Sequence, residues 1–111
     1  MNGVRRGSLA GARADEPFPG VRRRSFDSDR ATVTSYSFEP GARFPLHRHR
    51  EEQITLVEEG EIEFVVDGGT ERLRAGDWTI VGPDVEHGVV AGPDGARFLA
   101  IVVPRRSEAP R

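Results

Sequence analysis

GARFPLHRHREEQITLVEEGEIEFVVDGG, residues 41–69, holds the clearest strand signal of the chain and two of its three histidines in a single run. In residues 61–67, Ile62, Phe64 and Val66 alternate with Glu61 and Glu63. That period of two lets a strand bury one face and expose the other. Asp67-Gly68-Gly69 marks a tight hairpin after it, and Glu59-Gly60 marks a turn before it. Residues 53–59 read as an apolar strand. His47 and His49 stand two residues apart, so in extended chain both imidazoles leave one face and Arg48 leaves the other. Gln53 keeps the parity of His49 if the strand continues, and is also reachable if residues 50–52 make a turn. Glu52, the alternative oxygen donor, falls on the opposite face.

Outward from this stretch the texture persists. Residues 21–26, 31–39 and 44–49 read as strands on the N-terminal side, with Glu39-Pro40-Gly41 stopping the second of them. On the C-terminal side, residues 71–74, 78–81, 85–90 and 97–103 read as strands. Ala75-Gly76-Asp77, Gly82-Pro83-Asp84 and Pro93-Asp94-Gly95 separate them. Thirteen glycines and eight prolines among these short runs predict an all-β domain, a sandwich or barrel of about nine strands with no helix. At 111 residues the chain has room for one core. Residues 1–20, rich in Gly, Ala and Arg and without hydrophobic period, are expected as a flexible leader. The barrel is expected over 21–106 and a tail over 107–111.

Composition excludes several functions. Sixteen basic residues, all arginine, against eighteen acidic ones leave a net charge of -2, which gives no field for non-specific nucleic-acid binding. The absence of cysteine excludes disulfides and thiolate ligands, so a bound metal would need nitrogen and oxygen donors. The longest apolar run, residues 98–103, is far too short to span a membrane, and no secretory signal is visible. A cytoplasmic location is the expectation. Residues 54–57 and 98–103 are apolar on both faces, whereas a lone barrel needs only its inner face apolar. A homodimer interface is therefore expected on the outer face.

His87, the third histidine, lies in a distant strand after the turn at Pro83-Asp84. With it the chain resembles the cupin superfamily. Gly41, five residues, His47-Arg48-His49, three residues, Gln53, six residues and Gly60 are similar to the first cupin motif. Gly76-Asp77, Val81 and His87 are similar to the second. The resemblance covers about residues 21–104 and implies a double-stranded β-helix, a jelly-roll barrel with one divalent ion inside its mouth. The implied ligands are His47, His49, Gln53 and His87, and the ion is Fe, Mn, Ni or Zn. Three positions depart from the family pattern: Gln53 stands where a Glu is usual, Gly82-Pro83-Asp84 replaces Pro-x-Gly, and Ala91 replaces a frequent Asn. A glutamine ligand is neutral, so the full charge of the ion would be left to attract an anionic oxygen or to acidify water.

Within that superfamily the texture is similar to the small pectin-degradation proteins called KdgF, through His47-Arg48-His49, Gln53 to Val57, Glu59-Gly60, Glu86-His87-Gly88 and Pro104-Arg105-Arg106. The resemblance implies metal-assisted opening or tautomerisation of an unsaturated uronate. Ala100 falls where that family carries a catalytic Asp, and Val102 where it carries an aromatic residue. The catalytic candidates left are Tyr36, for proton transfer, and Arg106, for a substrate carboxylate. The expected function is a metal-dependent isomerase or lyase acting on a small anionic or carbonyl-containing molecule such as a sugar acid. The alternatives are an iron(II)-dependent dioxygenase and a non-catalytic small-molecule-binding barrel. Trp78 is expected in the core, Phe38, Phe44, Phe64 and Phe98 along the barrel lining, and at most Arg22 and Arg24 of the arginine run pointing inward together.

Overall fold

A computed structural model describes residues 3–106. Eight strands carry the fold: β1 (Arg13–Phe18), β2 (Val21–Asp27), β3 (Thr32–Phe38), β4 (Arg43–His47), β5 (Glu52–Val66), β6 (Gly69–Arg74), β7 (Trp78–Val81) and β8 (His87–Val103). A single short 3-10 turn, Leu9–Gly11, precedes them. All pairings are antiparallel, in the order β1-β2-β3-β8-β5-β6, with β4 joined to β8 and β7 to β5. The all-β jelly-roll expectation holds.

Two long strands organise the barrel. β5 and β8 run beside each other for most of their length, and each serves two sets of neighbours. The first part of β5 lies between β7 and the end of β8, and its second part lies between β6 and the start of β8. The register shifts between Val57 and Glu59 and again between Gly60 and Ile62, and such bulges bend a strand from one layer into the next. Gly60 sits at this corner with φ 73°. A Cβ there would collide with the carbonyl oxygen of Gly95. The local turn signals at Gly60 and at Pro93-Asp94-Gly95 are therefore bends within continuous strands, which reduces the nine expected strands to seven, and the unexpected β1 makes eight.

Alternation sorts the side chains into rows across the sheet. Thr32 and Gln53 both lie opposite Val102; Thr34 and Thr55 both lie opposite Ala100; Tyr36 and Val57 both lie opposite Phe98. All nine are buried. Phe38, Phe64 and Phe98 are buried as expected, and Phe44 packs half-buried against the same cluster.

Three expectations are corrected. The leader expected over residues 1–20 includes β1, which pairs with β2 through Arg13, Ala14, Asp15 and Phe18. Trp78 is 63% exposed on the outer face instead of in the core, because the inward parity of β7 belongs to Thr79 and Val81. Within the arginine run it is Arg23 that faces inward, opposite Tyr36, while Arg22 and Arg24 point out. The expected tail at 107–111 lies outside the described residues. Among the described residues no helix is long and apolar enough to cross a membrane.

Candidate metal centre

Three strand ends bring the histidines together. His47 closes β4 directly opposite His87, the first residue of β8, and His49 lies in the short link to β5. Their ligating nitrogens all lie within 4.8 Å of one another. The ring centroids are 4.3 Å apart for His47 and His87, 4.9 Å for His49 and His87, and 5.5 Å for His47 and His49. His49 and His87 are buried and His47 is half-buried.

Each imidazole is oriented in the same manner. Nδ1 of His47 lies 2.9 Å from the Pro45 carbonyl oxygen, Nδ1 of His49 3.0 Å from that of Glu51, and Nδ1 of His87 2.8 Å from that of Val85. A carbonyl oxygen only accepts, so all three Nδ1 atoms carry the proton and donate. In the neutral ring Nε2 then presents its lone pair. Phe44 packs on His47 at 4.6 Å between centroids and Phe64 stacks on His87 at 5.8 Å, which holds the rings against rotation.

Burial keeps His47 and His87 neutral. It pulls His47 down to about 4, opposed by the Pro45 carbonyl and reinforced by His87, His49 and Arg106. Burial likewise lowers His87, against the Val85 carbonyl, with His49 and Arg106 adding to the effect. Neutral imidazole is the ligand form.

The donor set fits a cation. Nε2 of His87 is fully buried with no hydrogen-bond partner, an arrangement that costs free energy unless something binds there. Gln53 donates from Nε2 to Thr55 Oγ1 at 3.0 Å, which turns its Oε1 to within 3.1 Å of Nε2 of His49. Two lone pairs thus face each other, and a positive ion between neighbouring donors would relieve that contact. Gln53 is buried and Glu52 exposed, as their parity requires.

One neighbour was not anticipated. Glu51 is 1% exposed, and its Oε1 lies 3.5 Å from Nδ1 of His49, a carboxylate beside the outward nitrogen of a candidate ligand. Such a partner orients a ligating ring and raises its basicity. The parity count that selected Gln53 also selects Glu51, since residues 49, 51 and 53 share one face.

The two catalytic candidates lie to one side. Tyr36 is buried, stacked on Phe98 at 5.0 Å and edge-on to Phe44 at 6.0 Å. Its hydroxyl is 3.5 Å from Nη1 of Arg23, a residue whose inward position was not expected. Asp15 clamps Arg23 from β1 at 2.7 and 3.1 Å and holds it firmly charged. Arg106 is fixed through its backbone N–H, which donates to Thr32 Oγ1 at 3.0 Å.

Comparison with known proteins agrees with this architecture. Residues 34–102 match the cupin domain family. A dimethylsulfoniopropionate lyase, DddW of Ruegeria pomeroyi, is 41% identical over 61 residues, covering 55% of this chain and 40% of that protein. The chain thus matches less than half the length of this curated relative. Among solved structures, an RmlC-like cupin from Shewanella frigidimarina superposes with a TM-score of 0.82 at 29% identity, over 92% of both chains. KdgF from a Halomonas species superposes with a TM-score of 0.78 at 26% identity, over 85% of this chain and 89% of that one.

Proposed function

The chain belongs to the cupin family, and from this we propose that it is a metal-dependent enzyme performing lyase- or isomerase-type chemistry on a small anionic or carbonyl-containing molecule. The observation that carries the reading is the shared orientation of His47, His49 and His87, each donating from Nδ1 to a backbone carbonyl and so turning an unprotonated Nε2 to a common point. Gln53 Oε1 is the fourth donor. Three imidazoles and one amide oxygen suit a single divalent ion of the first transition row, and Fe, Mn, Ni and Zn all accept such a set. When bound, the ion would act as a Lewis acid on a carbonyl or carboxylate oxygen of the substrate.

The chain's own residues divide the remaining work. Arg106 orients an anionic group of the substrate. Tyr36 transfers the proton, its phenol placed beside the Arg23 guanidinium. Ala100 cannot act as a base, which argues against the uronate chemistry that the KdgF likeness implies. The lyase activity in the name of the Ruegeria relative supports the lyase side of this reading. The outer face of the barrel, with exposed Trp78, Ile80, Leu56 and Phe26, is the surface on which two copies pair.

Metal content tests the proposal. Tag-free protein analysed by inductively coupled plasma mass spectrometry is expected to hold close to one first-row metal per chain. His49→Ala should lose it, and Gln53→Ala should bind it at least about tenfold more weakly. Wild-type protein that neither carries nor takes up metal would sink the reading.

A further inference from the structure

Between β1, β2, β3 and the C-terminal end of the described chain lies a polar cavity of about 270 Å³, walled by Arg13, Asp15, Arg23, Ser25, Thr34 and Arg106 among others. β1 completes it. Arg13 and Asp15 lie opposite Ser25 and Arg23, so both project to the inner face of the sheet, where Thr34 and Tyr36 also point.

The donors in this cavity outnumber the acceptors. Arg23 spends Nε and one terminal nitrogen on Asp15 and aims the other at the Tyr36 hydroxyl. A guanidinium has five N–H groups, so donors remain for a ligand. Ser25 Oγ and Thr34 Oγ1 are 2.8 Å apart, a contact that uses one hydroxyl proton and leaves the other to be donated. Thr32, by contrast, is spent: it donates to Asp27 at 2.6 Å and accepts from the Arg106 backbone. Three guanidinium groups and one carboxylate, Asp15, line the space, and Asp27 pairs with Arg13 at 3.2 Å. Spare guanidinium N–H and hydroxyl donors suit the paired oxygens of a carboxylate.

The strand register sets the span to the histidine site. Thr34 and Thr55 flank Ala100, and Thr32 and Gln53 flank Val102. Each pair is therefore two strand spacings apart, about 10 Å between backbones, and inward side chains narrow that gap. Ala100 contributes only a methyl group between them. Arg106 borders the cavity as well.

The geometry points to a carboxylate subsite formed by Arg23, Ser25 and Thr34 with Arg13 and Arg106, and hence to a short-chain acid whose far end carries an oxygen that reaches His47, His49 and His87. The far-end contact rests on the metal reading; the carboxylate subsite does not. The probes are 4-oxopentanoate, which has an acid and a ketone, and the neutral ketone 2-pentanone. Each is titrated into isotope-labelled protein freed of metal by chelation and followed by nuclear magnetic resonance. The acid should shift the Ser25 and Thr34 amide signals saturably and the ketone should not. Arg23→Gln should weaken binding of the acid by at least about tenfold, the loss of a charge-assisted contact. Thr34→Val, nearly equal in volume, should weaken it several-fold while keeping native signal dispersion. Equal binding of acid and ketone, or wild-type affinity in Thr34→Val and Ser25→Ala, would overturn the assignment. Metal uptake measured on the same samples separates the two ideas. Acid binding without metal uptake sinks only the metal centre, and metal uptake without acid binding sinks only the subsite.

Discussion

At the scale of single residues, the site rests on keeping His47 and His87 uncharged at close quarters. His47 titrates near 4 when folded, mainly through burial, and His87 is lowered for the same reason. In the unfolded chain both would protonate near the ordinary histidine value of about 6.5. Between those limits the unfolded state binds more protons than the folded one, so stability falls as the pH drops from about 6.5 toward 4 and is fully present above that window. Metal-free protein is therefore expected to lose melting temperature on acidification from pH 7 to pH 5. His47→Asn, which cannot charge, should flatten that dependence. A melting temperature that is level across the window in wild-type protein would contradict the burial of these rings. The site was legible in the sequence wherever parity decides it: His49 and Gln53 fall inside, and Arg48 and Glu52 fall outside. Glu51 obeys the same count, but a carboxylate is rarely buried, so composition gives no reason to place it inside. Nothing local marks that His49 Nδ1 lies against it.

At the scale of elements, the corner at Gly60 is the feature on which the barrel turns. Gly41 and Gly60 both have φ 73°, yet a Cβ at Gly41 meets nothing within 4 Å while one at Gly60 would strike Gly95. Gly41→Ala should cost only the left-handed backbone penalty, about 1 kcal/mol. Gly60→Ala adds a backbone collision between β5 and β8 and should cost upwards of about 3 kcal/mol. Urea denaturation of the two variants side by side checks this, and equal losses would mean that the corner is soft. The comparison also explains what sequence reading missed. Glu59-Gly60 looks the same whether it ends a strand or bends one, because the difference lies in the β8 partner some thirty-five residues away. β1 was hidden for the opposite reason. Arg13–Phe18 has no buried position and no apolar period, and it is held by pairing with β2 and by the Arg13–Asp27 and Arg23–Asp15 ion pairs. Central strands such as the second half of β5 announce themselves because both neighbours and the core require alternation. An edge strand that owes its place to a partner does not.

At the scale of the whole molecule, the outer face of the barrel is less finished than the inner one. Register aligns Phe26, Val33, Ile101, Ile54 and Ile80 in one row across five strands, and Leu99, Leu56 and Trp78 in the next. Trp78, Ile80 and Phe26 are 63, 53 and 48% exposed. A contiguous apolar patch of this kind marks an interaction surface. The patch lies on the layer whose inner side carries Gln53, Thr55 and Tyr36, so a partner covering it would stiffen the strands that shape the site without entering the barrel. Two copies related by a two-fold axis would present the same rows to each other, which is the commonest way for such a face to be closed. Leu56 sits between Leu99 and Trp78 and points outward, so Leu56→Arg should leave the core untouched. Sedimentation of the wild-type protein at micromolar concentration is expected to give twice the 12.2 kDa chain mass, and Leu56→Arg should give the single chain with native circular dichroism. Because the dimer would bury about 1,200 Å² or more, its loss should also make the melting temperature lower and independent of protein concentration. A wild-type protein that sediments as one chain would show instead that the apolar rows are tolerated in water or meet a different partner.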